Sequence, residues 1–318
     1  MTILSVLLLS TTDVESAHAD AEVTRAGNAW TSNVDGRVVY NGARMFDAVN
    51  AAIDAMSGGV VNVRNSGDSG PDGGKIYGIR PKAGMTLDFH GHAVNANGGT
   101  MVVPIYCDQR NRIVVRNLQV TGTPRYGVWF RGCSDITLHN ITMKLGKAKE
   151  VGLGIRVDAS TGPARNLVIS GSINIDGSAD NGIETYGVDG FKIGNVTATN
   201  TGACGLLLND SRNGTVGKVV GHHNDPGGGY ATFRVANKNG PNVRVESVQS
   251  RDSGRGFFSV SGSHGTTINF VDIANSSKQG IFLEDAKNTR VLGGTVKNGH
   301  PNCQLVRTSG STLNVSGC

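Results

Sequence analysis

Residues 180–186, with the sequence Asp-Asn-Gly-Ile-Glu-Thr-Tyr, place two carboxylates and a phenol close together in the chain. Asp180, Glu184 and Tyr186 can each exchange a proton, as general acid–base catalysis requires. Asp180 and Asn181 also suit a turn ahead of Gly182, and this structural role competes with a chemical one at those two positions. Glu184 and Tyr186 have no such turn role, so we select them as candidate catalytic residues.

A second candidate segment is the glycine-rich stretch 221–230, which contains the adjacent histidines His222 and His223. Imidazole titrates near neutral pH, so either histidine is a candidate acid or base. Together with Asp225 they could also supply three metal ligands, but neighbouring histidines in a glycine-rich loop have no fixed ligand geometry. We therefore predict no metal site here.

Both segments lie within an internal repeat. A short strand recurs at intervals of 23 to 28 residues from residue 127 onward, and a second apolar strand recurs between its copies, as at 136–143 and 243–248. Two to three short strands per repeat, with turns rich in Asn, Gly, Ser and Asp, are typical of one coil of a parallel β-helix. Leucine-rich repeats and propeller blades fit the spacing less well. The recurring strand starts at Gly127, Gly154, Gly182, Gly205, Tyr230, Gly256, Gly280 and Cys303.

Composition and the N-terminal region agree with this architecture. Glycine accounts for 46 of 318 residues and charged residues for 17%, which favours short strands and tight turns over helices. The spacing of Phe46, Val49, Ile53 and Met56 predicts one helix over 43–56, which would cap the N-terminal end of the apolar core. We expect a single domain over residues 20–318.

The start of this domain resembles the pectate-lyase-like superfamily of right-handed β-helices. The matching features are the cap helix 46–56, the Gly-Gly turn and strand 58–63, and the strands 76–79 and 85–89. The resemblance extends over essentially all of residues 20–318. It implies an all-β fold, a single-stranded right-handed parallel β-helix with an N-terminal cap helix, and a carbohydrate-active protein. Members include lyases, hydrolases, epimerases and non-catalytic adhesins, so the fold does not decide the reaction.

Strand alternation predicts which side chains of the recurring strand face solvent. With the first residue counted as zero, positions two and four point outward and stack on adjacent coils about 4.8 Å apart. The outward side chains mix aromatic rings, which stack on sugars, with guanidinium groups, which bind carboxylates. This face predicts a binding surface for an anionic polysaccharide. The predicted substrate-binding residues are Trp129, Arg156, Asp158, Asp180, Asn181, Asn209, Lys238 and Phe258.

We expect the reaction to be β-elimination from a uronate. This reaction removes the proton next to a carboxylate while that carboxylate is neutralised, and it needs an acid for the leaving oxygen. The outward face carries as many cations as carboxylates, and the net charge is +5. Arg234 (at position four), Arg156 and Asn209 are the candidates for neutralisation, and Tyr186 with His222 or His223 are the candidates for acid and base. The predicted catalytic residues are Tyr186, His222, His223, Arg234 and Glu184.

Two other functions remain open. Hydrolysis requires two carboxylates that flank the bond, and Glu184 paired with Asp158 or Asp180 would meet that requirement. A non-catalytic carbohydrate-binding or adhesin role is the third alternative. No cofactor is indicated; a calcium requirement stays open, although the sequence has no clear cluster of three acidic calcium ligands.

The expected location is extracellular. Residues 1–19 contain an apolar stretch and end in Ala17-His18-Ala19, which is typical of a secretion signal. No apolar run is long enough to cross a membrane. Basic residues are dispersed among acidic ones, which argues against nucleic-acid binding. We expect a monomer whose partner is its polysaccharide substrate.

The five cysteines fit two disulfides and one unpaired thiol. Cys107 with Cys133 and Cys303 with Cys318 are the expected pairs, because each would link neighbouring coils. Cys204 is expected to be a small buried residue.

Overall fold

The computed structural model describes residues 20–146 and 152–318. The predicted signal peptide, residues 1–19, lies outside the described residues. The chain forms a right-handed parallel β-helix with one N-terminal helix, as the sequence predicted.

Twenty-eight strands and one helix, α1, make up the described chain. The elements of the N-terminal half are β1 (Asp20–Ala26), β2 (Ala29–Val34), β3 (Arg37–Gly42), α1 (Met45–Asp54), β4 (Gly59–Val63), β5 (Gly67–Asp68), β6 (Tyr77–Ile79), β7 (Met85–Asp88), β8 (Ala93–Ala96), β9 (Val102–Asp108), β10 (Asn111–Gly122), β11 (Tyr126–Arg131), β12 (Ser134–Leu145) and β13 (Leu153–Asp158). The remaining elements are β14 (Ala164–Ser178), β15 (Ile183–Tyr186), β16 (Val188–Ile193), β17 (Val196–Thr201), β18 (Leu206–Asn209), β19 (Arg212–His222), β20 (Ala231–Ala236), β21 (Val243–Arg251), β22 (Arg255–Ser259), β23 (Thr266–Ala274), β24 (Ile281–Glu284), β25 (Arg290–Val291), β26 (Gly294–Lys297), β27 (Cys303–Val306) and β28 (Thr312–Leu313).

The recurring strand of the sequence builds one sheet of its own. Sheet B contains ten parallel strands, one from each coil, in the order β6-β9-β11-β13-β15-β18-β20-β22-β24-β27. The other eighteen strands form sheet A, which covers the remaining faces of the coil. A long strand such as β10 turns at Asn117, whose φ is 56°, so that its two halves pair with β7 and β8. Asn tolerates this left-handed conformation better than most residues, which explains its recurrence at the corners.

The apolar core is continuous along the stack, and α1 covers its N-terminal end. Phe46, Val49 and Ile53 are buried in it, as the helical spacing predicted. β1, β2 and β3 pair antiparallel beside the helix, a feature that the sequence analysis did not predict.

The glycine at the start of a sheet B strand is required by close packing of the backbone. A Cβ atom on Gly154 would lie 2.3 Å from the carbonyl oxygen of Gly182 on the next coil. Any side chain at this position would therefore push two coils apart.

The cysteine predictions had different outcomes. Cys303 and Cys318 form the expected disulfide, and Cys204 is fully buried. Cys107 and Cys133 lie on adjacent coils, as expected, but they do not form the expected bridge. Both are free thiols, and their sulfur atoms are 2.9 Å apart. This separation is longer than the 2.05 Å typical of a disulfide bond.

Within residues 20–146 and 152–318, no helix has the length and apolar character needed to span a membrane.

Candidate functional site

The outer face of sheet B carries the predicted side chains in two columns that run across the coils. In the first column Trp129 pairs with Arg156, which in turn pairs with Glu184. In the second column Asp158 pairs with Tyr186, which pairs with Asn209. Strand alternation, as read from the sequence, therefore places these six residues correctly relative to one another.

Arg234 lies in a different column from the one predicted. The register pairs Leu206 with Phe233 and Leu207 with Arg234, so Thr232 rather than Tyr230 occupies the position of the strand-initiating glycine. Arg234 thus continues the column of Glu184 instead of that of Tyr186. Thr232 is buried, and its hydroxyl group contacts Asn224 and Ser250. The predicted register was wrong here because this coil has no glycine at that position.

Arg156, Asp158, Glu184, Tyr186 and Asn209 form what we call the central cluster. The Arg156 guanidinium donates to Asp158 Oδ2 and to Glu184 Oε2, both at 2.9 Å. Asn209 Nδ2 donates to Glu184 Oε1 at 3.2 Å. The guanidinium also lies 5.9 Å from the centroid of the Tyr186 ring. Tyr186 is 37% exposed, whereas Glu184 is 6% and Asp158 1% exposed, so the phenol is the most accessible of the three proton-exchanging groups.

The two carboxylates of the central cluster are shifted in opposite directions. Burial raises the pKa of Glu184 above its usual value, and this effect outweighs the opposing influence of Arg156 and Asn209. Burial also acts on Asp158, but hydrogen bonds from Ser160, Trp129 and Arg156 outweigh it and lower the pKa of that carboxyl. When the environments of two carboxyl groups separate their pKa values in this way, the group with the raised pKa commonly acts as the acid and the other stays ionised.

Asp180 and Asn181 lie at the edge of the central cluster. Asn181 is 5% exposed; its Oδ1 accepts from the backbone N–H of Cys204 at 2.9 Å, and its Nδ2 lies 3.4 Å from Glu184 Oε2. Burial raises the pKa of Asp180, and the charge of Asp180 in turn contributes to the raised pKa of Glu184. Asn181 therefore fixes the turn and also contacts the candidate acid.

Aromatic side chains border the central cluster on its N-terminal side. Trp129 Nε1 donates to Asp158 Oδ2 at 2.7 Å. The Trp129 ring packs against Tyr126 at 4.3 Å and against Tyr106 at 5.5 Å between centroids. This arrangement offers a partly exposed ring face next to the charged residues.

Alternating guanidinium groups and rings follow on the C-terminal side, in an arrangement that we call the arginine ladder. Arg234 lies over Tyr230 and Phe258, at 5.1 Å from each centroid. Arg255 lies 4.6 Å from the Phe258 centroid and 5.1 Å from that of Phe282. The two phenylalanine rings stack at 5.2 Å.

Neither arginine of the ladder has an ion-pair partner among the described residues. Arg234 Nε is buried and makes no hydrogen bond within them. Arg255 donates to Gln279 Oε1 at 2.9 Å and to the carbonyl oxygen of Gly229. Burial, and then the nearby charge of Arg234, lower the pKa of Arg255. An anionic ligand would relieve this repulsion between like charges.

The sequence analysis missed a third outward column, which includes Arg255. Two residues that immediately precede strand-initiating glycines, Asn181 and Arg255, have side chains that contact outward residues of sheet B. Arg255 precedes Gly256 in the same way that Asn181 precedes Gly182. Asn181 was predicted both as a turn residue and as a substrate-binding residue, but its position before the glycine was not compared with the same position on other coils, which would have indicated Arg255.

The structure does not bring His222, His223 or Lys238 to the central cluster. His222 ends β19 of sheet A, before the loop that leads into β20, and its Nε2 lies 3.0 Å from Asp252 Oδ2. His222 and His223 were predicted to be catalytic residues together with Tyr186, but Tyr186 ends a strand of sheet B, whereas His222 ends a strand of sheet A. Lys238 is exposed in the turn after β20.

A sequence model of the family described as periplasmic copper-binding protein (NosD) matches residues 61–227, just over half of the chain. No curated protein matches the sequence significantly.

Solved structures show the same architecture. The A-module of mannuronan C-5 epimerase AlgE4 from Azotobacter vinelandii superposes with a TM-score of 0.66 at 15% identity, over 86% of this chain and 85% of the epimerase module. The enzymatically active domain of tailspike protein 2 from bacteriophage CBA120 superposes with a TM-score of 0.59 at 13% identity, over 85% of this chain and 49% of the tailspike domain. At such identities, these similarities show the fold alone.

Proposed function

This chain belongs to the NosD family, and we propose that the outer face of its sheet B binds a uronate-containing polysaccharide and cleaves it by β-elimination. The observation that carries the proposal is the arginine ladder, two guanidinium groups that form no ion pair with any carboxylate of residues 20–146 and 152–318 and lie on the same face as a cluster of proton-exchanging groups. One of the superposed structures is the A-module of a mannuronan epimerase, and mannuronan is a polyuronate, which supports an anionic polysaccharide as the ligand.

The free cations favour an acidic sugar over a neutral one. Arg156 is already neutralised by Asp158 and Glu184, so it holds the central cluster together and has little capacity for a substrate carboxylate. Arg234 lies two coils from Glu184, about 10 Å away at the usual strand spacing. A uronate chain lying across the strands could therefore place the carboxylate of the reacting uronate on Arg234 and that of the next sugar on Arg255, with the bond to be cleaved directed toward Glu184.

In the proposed reaction the C5–H bond of a uronate breaks, its electron pair forms the C4=C5 double bond, and the C4–O bond to the leaving sugar breaks. The leaving oxygen then takes up a proton, so no external oxidant or reductant is needed. Tyr186 is the proposed base, whose phenolate oxygen would accept the proton released from C5. Glu184 is the proposed donor to the leaving oxygen, because its raised pKa keeps the protonated form available at higher pH.

Hydrolysis is the second candidate, and the raised pKa of both Glu184 and Asp180 favours it. A glycosidase needs one protonated and one ionised carboxyl group beside the bond. Glu184 would be the acid, and Asp158 would be the ionised partner, although its bonds to Arg156 and Trp129 restrict its access to substrate.

We also propose that the protein works outside the cytoplasm. The disulfide between Cys303 and Cys318 is stable in an oxidising compartment, and the family description names the periplasm.

The family description also names copper. His222, His223 and Asp252 offer two imidazoles and a carboxylate close together, donor types that suit Cu(II) and Zn(II). The unpaired cysteines, whose thiolates would favour Cu(I), are buried. These three residues would hold the ion, which would act as a Lewis acid when bound. No step of the proposed elimination passes through it.

The decisive experiment incubates the protein with polyuronates and neutral polysaccharides, with and without added calcium, and follows both ultraviolet absorbance and reducing ends. We expect new absorbance from unsaturated ends on at least one polyuronate. Reducing ends without absorbance would favour hydrolysis, and binding without either signal would favour an adhesin.

A matched pair of variants tests the role of the ladder. Arg234→Ala should lose most activity on the polyuronate, whereas Arg244→Ala, at an exposed arginine of sheet A, should retain it. Equal activity of the two variants would contradict the proposed role of the arginine ladder.

A further inference from the structure

We propose that His222, His223 and Asp252 form a binding site for a divalent transition-metal ion of the Cu(II) or Zn(II) type, separate from the central cluster. Each residue presents one ligand atom, and these atoms all lie within 4.8 Å of one another. The two imidazole rings are 3.8 Å apart between centroids, and His222 Nε2 lies 3.0 Å from Asp252 Oδ2.

The backbone explains how two adjacent histidines present their rings together. Successive side chains of a strand point to opposite faces, so neighbouring histidines in a regular strand would diverge. His223, however, lies at a corner of the coil with a φ of 53°, in the left-handed region. Its ring is thereby brought next to that of His222. The sequence analysis assumed a loop without fixed geometry, and this left-handed corner supplies the geometry.

The corner belongs to a ladder of residues on successive coils. Thr199, His222 and Arg251 pair in register, and Arg251 pairs with Ala274. The residues that follow them stack in the same order, and all have φ between 52° and 59°. This corner ladder consists of Asn200, His223, Asp252, Asn275 and Asn298.

Two members of the corner ladder depart from asparagine, and they are the two that carry metal-binding groups. Asn is sufficient for the left-handed conformation of this corner, as at Asn200, Asn275 and Asn298. His223 and Asp252 replace this residue with an imidazole and a carboxylate, on adjacent coils and beside a second imidazole. Three ligands, two imidazoles and one carboxylate, therefore come together at one corner.

The neighbouring asparagines orient the carboxylate. Asn275 Nδ2 donates to Asp252 Oδ1 at 3.0 Å, and Asn298 Nδ2 donates to Asn275 Oδ1 at 3.0 Å. Asp252 Oδ2 is the oxygen that faces His222. Second-sphere hydrogen bonds of this kind fix the ligands of metal sites.

Exposure and donor type narrow the class of ion. The side chains of His222 and Asp252 are 46% and 39% exposed, which leaves coordination positions for water or another ligand. Two nitrogen donors and one oxygen donor favour Cu(II) or Zn(II) over Ca²⁺, which prefers oxygen. Asp225, the carboxylate considered in the sequence analysis, instead accepts from the backbone N–H of Tyr230 at 2.7 Å.

Calorimetric titration of the full protein with CuCl₂ or ZnCl₂ tests the site. We expect one ion per chain, a rise in melting temperature on binding, and nitrogen hyperfine structure in the Cu(II) electron paramagnetic resonance spectrum. His223→Asn and Asp252→Asn retain the residue type that the corner favours and remove one ligand each. Each should weaken binding by about tenfold or more.

His139→Ala, at a histidine of β12 outside the corner ladder, is the matched control and should bind like the unmodified protein. Absence of one-to-one binding, or equal affinity of the control and the two ladder variants, would overturn the proposal. Circular dichroism of the variants excludes loss of the fold as the cause. These readouts do not depend on polysaccharide cleavage, so the metal site and the proposed function can fail separately.

Discussion

Glu184 and Asp158 bind the same guanidinium group from adjacent coils, but their pKa values are shifted in opposite directions. Asp158 receives hydrogen bonds from Trp129 and Ser160 in addition to Arg156, so its ionised form is stabilised. Glu184 receives weaker amide hydrogen bonds and lies close to Asp180, so burial dominates. One or two additional hydrogen bonds thus keep Asp158 ionised, whereas Glu184, which lacks them, is the candidate acid.

Replacement of Tyr186 by phenylalanine should abolish turnover with little effect on folding. The Tyr186 hydroxyl makes no hydrogen bond to the described residues and is exposed, so its loss leaves no unsatisfied partner and no cavity. Removal of a group that transfers a proton typically costs about 10²- to 10⁴-fold in rate. Initial rates and thermal melts should show this loss at an unchanged melting temperature. Activity within about threefold of the unmodified protein would exclude Tyr186 as the proton-transfer group, and Tyr40→Phe, remote from sheet B, controls for the substitution itself.

Replacement of Asp158 by asparagine should destabilise the protein most at neutral pH. Because the pKa of Asp158 is lowered in the folded state, its carboxylate stabilises the fold above the unfolded-state pKa of about 3.9, and this contribution is lost as the pH falls. Breaking a buried ion pair costs about 3 kcal/mol. Urea unfolding between pH 7 and pH 3 should therefore show a difference from the unmodified protein that shrinks toward acid pH. A constant difference would contradict the assignment, and Asp35→Asn, at an exposed corner residue, should show no difference.

At the scale of the elements, most sheet B strands start at a glycine, where the backbone of the next coil leaves no room for a side chain, as at Gly154. This glycine also makes the strand irregular, so that the residues before it and two positions after it both face outward. Asn181 and Glu184 on one coil illustrate the result, as both side chains meet on the same face. The glycine therefore determines which columns are available to a ligand.

Gly154→Ala should destabilise the stack because the added methyl group would lie 2.3 Å from a backbone oxygen that cannot move independently. Overpacking of this kind typically costs about 1 to 3 kcal/mol. Gly162→Ala is the matched control, since its nearest contact to an added Cβ is 3.8 Å. Thermal melts should show a lower melting temperature for Gly154→Ala alone. Equal melting temperatures would mean that the coils can separate locally at little cost.

At the scale of the whole molecule, sheet B is an extended binding surface. Six inter-strand steps separate Trp129 from Phe282, a span of about 29 Å at the usual strand spacing. Aromatic rings lie at both ends of this span, with the central cluster and the arginine ladder between them. The dimensions suit several sugar units of an extended chain.

Affinity for oligouronates should therefore rise with chain length until the oligomer covers this span. Calorimetry on the Tyr186→Phe variant, which should bind without cleavage, measures the dependence. Trp129→Ala should weaken binding of the long oligomers more than that of the shortest ones, because only a long chain reaches beyond the central cluster. Affinity that is independent of length would contradict an extended binding mode.

The sequence by itself determined the coil repeat, the cap helix and the relative positions of Trp129, Arg156, Glu184 and Tyr186. These features follow from local periodicity, since residues two apart in a strand share a face and glycine marks each strand start. Only the tertiary structure decided the column of Arg234, the outward position of Arg255 and the placement of His222 away from Tyr186. Some of these features depend on the register between coils, which is shifted at the coil of Arg234 because that coil has no glycine at the strand start. Others depend on the corner conformation of a single residue such as His223. Register and corner geometry are set by contacts between residues of different coils, which are more than twenty residues apart in the chain. A local sequence pattern therefore does not predict them.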